Sequence, residues 1–256
     1  MIIDRAINDK EKLKSSSKKL NSNQGRELIM QIPESTRYEI KMETEQSMLP
    51  QLVSWLRVHP AGFYKAYPKR QVNNVYFDTP HLSSFAENLS GISVRRKMRL
   101  RWYGNESENI QATLEIKCKR NQHGWKKSQR LSKPLNLNNT SWIDLRKLIR
   151  EELKPDIQSF FDHSCWPVIL NQYYREYYLS FDGQVRITID FSQKVYNQML
   201  YGYPNFTFPV PISNQVVVEV KANTMHRENL AKIISHIPLR VSKHSKFALA
   251  MEAIFF

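Results

Sequence analysis

Apolar and polar residues alternate along much of this chain, and the alternation marks eight strands. Arg37–Glu43, Gln71–Thr79, Ile92–Tyr103, Ile110–Lys119, Trp125–Leu131, Val168–Phe181, Gln184–Phe191 and Gln215–Ala222 carry it. Asp182–Gly183 is the dipeptide that tight hairpin turns favour, and Gly104–Asn105 and His123–Gly124 mark further turns. Elsewhere the period lengthens to that of a helix. Leu52, Trp55 and Leu56 sit at i, i+3, i+4 ahead of Pro60–Gly62. Thr140–Leu153 puts Trp142, Leu145, Leu148 and Ile149 on one face behind a Thr140 or Ser141 cap. Two more helices are expected, from Thr224 to Ser235 and from about Ser242 onward. Ser192–Ser213 contains Pro204, Pro209 and Pro211 and reads as a surface loop. Residues 1–32, with Lys and Ser crowded into Lys10–Lys19, show no sustained period and read as a flexible basic tail. Residues 33–256 read as a single α+β domain.

Side chains of a strand alternate between its two faces, so position parity sorts them. Glu39 and Lys41 lie opposite Ile40 and Met42, and Arg95, Lys97, Arg99 and Arg101 lie opposite Met98, Leu100 and Trp102. Glu115, Lys117 and Lys119 oppose Leu114, Ile116 and Cys118. Arg186, Thr188 and Asp190 oppose Val185, Ile187 and Ile189, while Glu219 and Lys221 oppose Val216, Val218 and Val220. Five strands thus pair an apolar face with a charged one. Two architectures satisfy that pattern. One is an antiparallel sheet with a dry side under helices and a wet side in water. The other is an eight-stranded antiparallel barrel with helices outside and charge inside, where the basic lining needs an anion to offset its burial.

Composition sharpens the choice. The chain has 256 residues, 24% charged and 41% hydrophobic, an ordinary globular balance. Basic residues number 38 against 24 acids, a net charge of +14. Between Arg95 and Lys133 there are twelve basic residues and only three acids, Glu106, Glu108 and Glu115. Such a field predicts a polyanionic partner: nucleic acid, acidic lipid or a chain of phosphates. Two cysteines, Cys118 and Cys165, exclude a disulfide scaffold and a thiolate zinc cluster. No apolar run reaches membrane-spanning length and no secretory leader is evident, so a cytoplasmic location is expected.

Ordered short motifs carry a resemblance. Arg37-Tyr-Glu-Ile-Lys41, Val75-Tyr-Phe-Asp-Thr79, Val94–Gly104 (VRRKMRLRWYG) and Leu114-Glu-Ile-Lys117 resemble the VTC-type polyphosphate polymerase domain. Tyr174-Arg-Glu-Tyr177, Val185–Asp190, Val218-Glu-Val-Lys221 and Val241–Phe247 (VSKHSKF) follow in the same order, so the likeness spans about residues 36–250. That family belongs to the triphosphate tunnel metalloenzymes, a CYTH-like superfamily whose eight-stranded barrel encloses a basic tunnel and a divalent cation. The resemblance implies transfer of the γ-phosphate of ATP to the end of inorganic polyphosphate, with Mn²⁺ or Mg²⁺ as cofactor. It also implies a membrane-protein partner and a peripheral position at the inner face of a membrane.

Site residues follow from the same motifs. Lys246, Lys243, Arg99 and Arg101 are the implied catalytic set. Lys41, Lys117, Arg175, Arg186 and Lys221 join them as phosphate ligands. Arginine suits that task because its fork donates two parallel hydrogen bonds and stays charged. Glu219 is the first choice as metal ligand, with Glu115 and Asp190 second choices that could equally be ion-pair partners of neighbouring cations. His244, beside Lys243, reads as structural. Arg37 stands where hydrolytic branches of the superfamily carry a glutamate, which weakens a two-metal triphosphatase. A tripolyphosphatase or nucleoside triphosphatase of the same fold is the alternative enzyme. A nucleic-acid-binding module, with Trp102, Tyr103 and Trp125 stacking bases, is the reading from a different class. Because the lining is expected to be like-charged, removing Arg99 and Arg101 is expected to spare the fold.

Overall fold

The structure is a computed structural model, and it describes residues 37–120, 123–235, 237–242 and 245–255. The expected tail at 1–32, Lys243 and His244 lie outside the described residues. In chain order the elements are β1 (Arg37–Glu45), α1 (Leu49–Val58), β2 (Tyr64–Asp78), α2 (Ser83–Leu89), β3 (Val94–Tyr103), β4 (Thr113–Arg120) and β5 (His123–Arg130). Then come α3 (Trp142–Glu152), α4 (Pro155–His163), β6 (Trp166–Leu179), β7 (Val185–Asn197), β8 (Pro209–Val210), β9 (Gln215–Asn223), α5 (Arg227–Ser235), β10 (Val241–Ser242) and α6 (Lys246–Phe255). Single 3₁₀ turns precede α1 and α5.

The ten strands form one antiparallel sheet in the order β10-β1-β9-β7-β6-β2-β3-β4-β5, with β8 added to the end of β7. The class is α+β, as the alternating strands and helices predict. The sheet does not close: among the described residues, β5 at one edge has no hydrogen-bonded partner strand beyond β4. Instead it curls. The Lys117 ammonium on β4 lies within the electrostatic reach of Glu219 and Lys221 on β9 and Glu39 on β1. Four strands separate β4 from β9 in the sheet order, so only strong curvature brings those charges together.

Apolar faces point outward to a helical layer. Met42, Ile187, Val218 and Val220 pack under Leu52 and Leu56 of α1 and Leu230 and Ile233 of α5. Phe77 meets Trp142 of α3 and Phe161 of α4 edge-on, with centroids 6.3 and 5.7 Å apart. Full burial of each such side chain stabilises by roughly 1.5–3 kcal/mol. Ser141 is the residue that caps α3, its hydroxyl accepting from the Asp144 amide at 3.2 Å.

One helix departs from the expected outer layer. Phe247, Ala250 and Met251 of α6 pack on Tyr76, Ile169 and Val195. Tyr76 pairs with Arg99 across β2 and β3, and Ile169 pairs with Tyr76, so these residues occupy the concave face. Apolar side chains interrupt the charge there, and α6 covers them. Other differences are of length. β2 begins at Tyr64, seven residues before the alternation declares it, because Tyr64–Arg70 is largely exposed and broken by register shifts. β7 runs to Asn197 and β8 pairs with it, inside the expected surface loop. The short α2 buries only Phe85, too little to show a period.

Candidate functional site

β3 supplies the first side of the concave interior. Arg99 donates from Nε to Glu115 Oε2 at 2.7 Å and approaches the same oxygen through Nη2 at 2.6 Å. Its Nη1 reaches the Tyr76 hydroxyl at 3.3 Å. Arg101 donates to Asn74 Oδ1 at 2.8 Å and to the Tyr173 hydroxyl at 3.2 Å, and its Nη1 stands 3.7 Å from Glu115. Lys126 of β5 completes the group at 2.8 Å from Glu115 Oε1. Burial alone would raise the Glu115 pKa, but Arg99, Arg101 and Lys126 hold it well below the usual carboxylate range. Glu115 is thus an ion-pair partner that clamps both arginines, one of the two roles open to it in the sequence.

β6 and β7 supply the second side. Arg175 grips Asp190 with both ends of its fork, at 2.5 and 2.6 Å, and stands 3.7 Å from Glu219. Lys246, the first residue of α6, lies 2.8 Å from Asp190 Oδ2 and 5.0 Å above the Tyr173 ring. Asp190 is therefore shared by two cations from different elements. Despite its burial the carboxyl is held below its ordinary pKa by Arg175 and Lys246. Tyr173 stands between the two sides: burial would raise its phenol pKa, but Arg175, Arg101 and Lys246 lower it.

β1 and β9 supply the third side, a square of alternating charge. Glu39 and Glu219 each meet both Lys41 and Lys221, at 3.2 and 3.6 Å for Glu39 and at 3.6 and 2.6 Å for Glu219. Burial pushes the Glu219 pKa upward, yet Lys221, Lys41, Arg175 and Lys246 bring it well below the usual range. Both carboxylates are thereby ionised hard-oxygen donors, the chemistry that Mg²⁺ or Mn²⁺ requires. Among the described residues no group of three His, Cys, Asp or Glu side chains converges. Glu219 and Glu39 accordingly fit a cation that takes its remaining ligands from phosphate and water, and they do not form an all-protein cage.

Lys97, Lys117 and Arg186 stand apart from these pairs among the described residues. Lys117 makes no ion pair among the described residues, and Arg99 first, then burial, press its pKa well below the ordinary lysine value. Lys97 faces Lys117 directly across β3 and β4, and Lys117 faces Lys126 across β4 and β5. Like charges in direct register repel. Arg186 is exposed, level with Lys221 in the β7–β9 ladder, at the rim of the interior.

The expectation of a like-charged lining is therefore corrected. Four carboxylates, Glu39, Glu115, Asp190 and Glu219, act as internal counter-ions among the described residues. The cations on that face include Lys41, Lys97, Arg99, Arg101, Lys117, Lys126, Arg175 and Lys221, with Lys246 of α6 beside them, so the excess stays positive. The parity of the sequence shows these acids on the charged face but not which cations they meet.

Sequence reasoning also missed a neutral component. Asn74 and Asn171 face each other across β2 and β6 at 0% exposure, and Thr188 lies between Asp190 and Arg186 on β7. Asn74 Nδ2, both polar atoms of the Asn171 amide and Thr188 Oγ1 have no hydrogen-bond partner among the described residues. Buried polar atoms of this kind are costly unless something pairs with them. Parity along β6, where Asn171, Tyr173 and Arg175 alternate, was the available signal. A surface cavity of about 520 Å³, lined by Lys127, Arg130, Lys154 and Asp156, contains none of the interior's ion pairs.

The fold and interior together define a class: an α+β domain that curls a polybasic, acid-braced sheet face inward on itself. The family model of the VTC domain matches residues 36–255, and the chain belongs to that family. Similar solved structures include a provisionally assigned adenylate cyclase from Vibrio parahaemolyticus, at 11% identity and TM-score 0.49, covering 86% of this chain and 98% of that one. The PH1819 protein from Pyrococcus horikoshii is similar at 14% identity and TM-score 0.45, covering 84% and 99%. A chain of the Schizosaccharomyces pombe Mediator head module is similar at 12% identity and TM-score 0.45, covering 80% and 97%. No curated protein matches the chain.

Proposed function

We infer that this protein is a polyphosphate polymerase that moves the γ-phosphate of ATP onto the end of an inorganic polyphosphate chain. The observation that carries the reading is the pairing of two braced cationic walls, Arg99–Arg101 and Arg175–Lys246, around Tyr173. Membership of the VTC domain family supports it. An acceptor oxygen at the end of the chain attacks the γ-phosphorus, the bond to the bridging β–γ oxygen breaks, and that oxygen leaves with the electron pair on ADP. No side-chain nucleophile is needed. Catalysis rests on aligning two polyanions and stabilising the charge on the transferring group.

The counter-ions matter to this chemistry. Arginines clamped by Glu115 and Asp190 are already oriented, so little reorganisation accompanies binding. Phosphate oxygens then share the free donors of those guanidinium groups, and Lys117 gains the anion it lacks. Glu219, with Glu39, would hold Mn²⁺ or Mg²⁺, which when bound supplies further screening of phosphate charge. No helix among the described residues is long and apolar enough to cross a membrane.

Incubation with ATP and Mn²⁺ tests the reading. Long phosphate chains on a gel, with one ADP per phosphate added, are the expected products. Release of orthophosphate alone would replace the polymerase with the hydrolase. Salt-sensitive RNA binding that tripolyphosphate does not compete away would replace both with a nucleic-acid module.

A further inference from the structure

The charged ladder of β3 does not end in water. Arg95, Lys97, Arg99, Arg101 and Tyr103 share one face, and Tyr103 lies about 7 Å along the strand from Arg101. Tyr103 pairs with Val72, and Val72 pairs with Tyr173, whose hydroxyl Arg101 reaches. The phenol ring of Tyr103 thus stands at the outer end of the phosphate-binding wall, 48% exposed.

Arg70 of β2 gathers the aromatic residues there. Its guanidinium lies 4.5 Å from the Tyr103 ring, 4.8 Å from Tyr177 and 5.5 Å from Tyr67. Tyr67 and Tyr177 meet edge-on at 5.6 Å, and Arg70 Nε donates to the Tyr177 hydroxyl at 3.3 Å. Tyr177 in turn lies 6.0 Å from the Arg175 guanidinium, inside the interior. Exposure rises outward, from 2% at Tyr173 and 8% at Tyr177 to 48% at Tyr103 and 55% at Tyr67. The cations of the interior grade continuously into exposed rings.

Ring faces carry negative quadrupole charge and do not attract a bare phosphate chain. They take a flat π-surface, and a nearby guanidinium adds a second stacking plane. A molecule with a polyphosphate at one end and an aromatic plane at the other matches this succession. Resting on the reading of the interior as a triphosphate site, we propose that Tyr67, Arg70 and Tyr103 form a stacking platform for the base of a nucleoside 5′-triphosphate. Tyr103 and Tyr67 are exposed and bury little, so their truncation leaves the core untouched.

Calorimetric titration with two probes separates the platform from the interior: an imido-bridged, non-hydrolysable ATP analogue and inorganic tripolyphosphate. The double variant Tyr67→Ala/Tyr103→Ala is expected to bind the ATP analogue roughly tenfold more weakly while tripolyphosphate affinity changes less than about twofold. Equal losses for both probes, or no loss for either, would overturn the platform. Failure of the unaltered protein to bind tripolyphosphate would instead sink the reading of the interior. Tyr103→Trp supplies an independent readout should the double variant fold poorly. The ATP analogue should quench the added indole fluorescence and tripolyphosphate should not; a signal indifferent to the base would overturn the proposal as well.

Discussion

Glu115 decides how the interior responds to mutation. It is 4% exposed and bound to Arg99, Arg101 and Lys126. Removing one member of such a group leaves uncompensated buried charge, at a cost of about 3–5 kcal/mol. Arg99→Ala is expected to lower the melting temperature by many degrees, against the sequence expectation that the fold would be spared. Pairing it with Glu115→Gln should recover part of the loss, and a double-mutant cycle on thermal unfolding checks the coupling. Strict additivity would mean that the pair is not clamped as described. Acid should mimic the charge loss. Because Glu115, Asp190 and Glu219 have lowered pKa values, their stabilisation is complete above the ordinary carboxylate range and is lost as pH falls below it.

Lys97 gives a second residue-scale prediction with the opposite proton sign. It donates to Ser245 Oγ at 2.8 Å and lies 5.4 Å from the Phe247 ring, just ahead of α6. Burial first, then Lys41, Arg95, Lys119 and Arg99, push its pKa down to about 7. In the free protein just above that pH the amine is mostly neutral. A bound polyanion restores the charge, so tripolyphosphate binding near pH 8 should take up a proton. Calorimetry in buffers of different ionisation enthalpy measures the uptake, and Lys97→Met should reduce it, leaving the share carried by Lys117, whose pKa is lowered as well. Uptake unchanged in that variant would place the titrating group elsewhere.

At the scale of elements, the interior is assembled by pairing strands that each bring one half of a charge group. β1 and β9 build the Glu39–Lys41–Glu219–Lys221 square through the register Lys41↔Glu219 and Glu39↔Lys221. A one-residue slip of β9 against β1 would turn Glu219 and Lys221 away from Glu39 and Lys41 and drive the valines of β9 inward. The strand valines were legible as one dry face, and the structure buries Val216, Val218 and Val220 completely. What alternation could not show was the long exposed start of β2 or the concave seat of α6, because neither has a strong period. Glu219→Gln tests the square. Tripolyphosphate should still bind, since cations dominate that affinity, while the Mn²⁺ midpoint for activity should rise several-fold or more, about a kcal/mol or greater. An unshifted midpoint would leave Glu219 as a counter-ion only.

For the whole molecule, the positive excess of the interior is a standing electrostatic cost that a bound polyanion relieves. Tripolyphosphate should therefore raise the melting temperature in a dose-dependent way, its binding adding about 2.7 kcal/mol of stability at a hundredfold excess over its dissociation constant. Orthophosphate at equal ionic strength should do much less, and equal stabilisation by both would point to general screening. The open edge at β5 fits the same picture: curvature, not closure, brings β4 opposite β1 and β9.

Taken by itself, the sequence determined which residues could share a face. Parity follows from backbone geometry alone, so the charged and apolar sides of five strands were readable without knowing any neighbour. It determined the basic excess, the hairpin turn at Asp182–Gly183 and the order of the VTC motifs. Tertiary structure decided which acids brace which cations, because Glu115 with Lys126, Asp190 with Lys246 and Arg175 with Glu219 join residues that only strand pairing and curvature bring together. It also decided that the barrel stays open and that α6 enters the concave side. Those outcomes depend on how far a sheet twists and where a helix finds uncovered apolar surface, quantities set by many distant contacts at once and written in no local pattern.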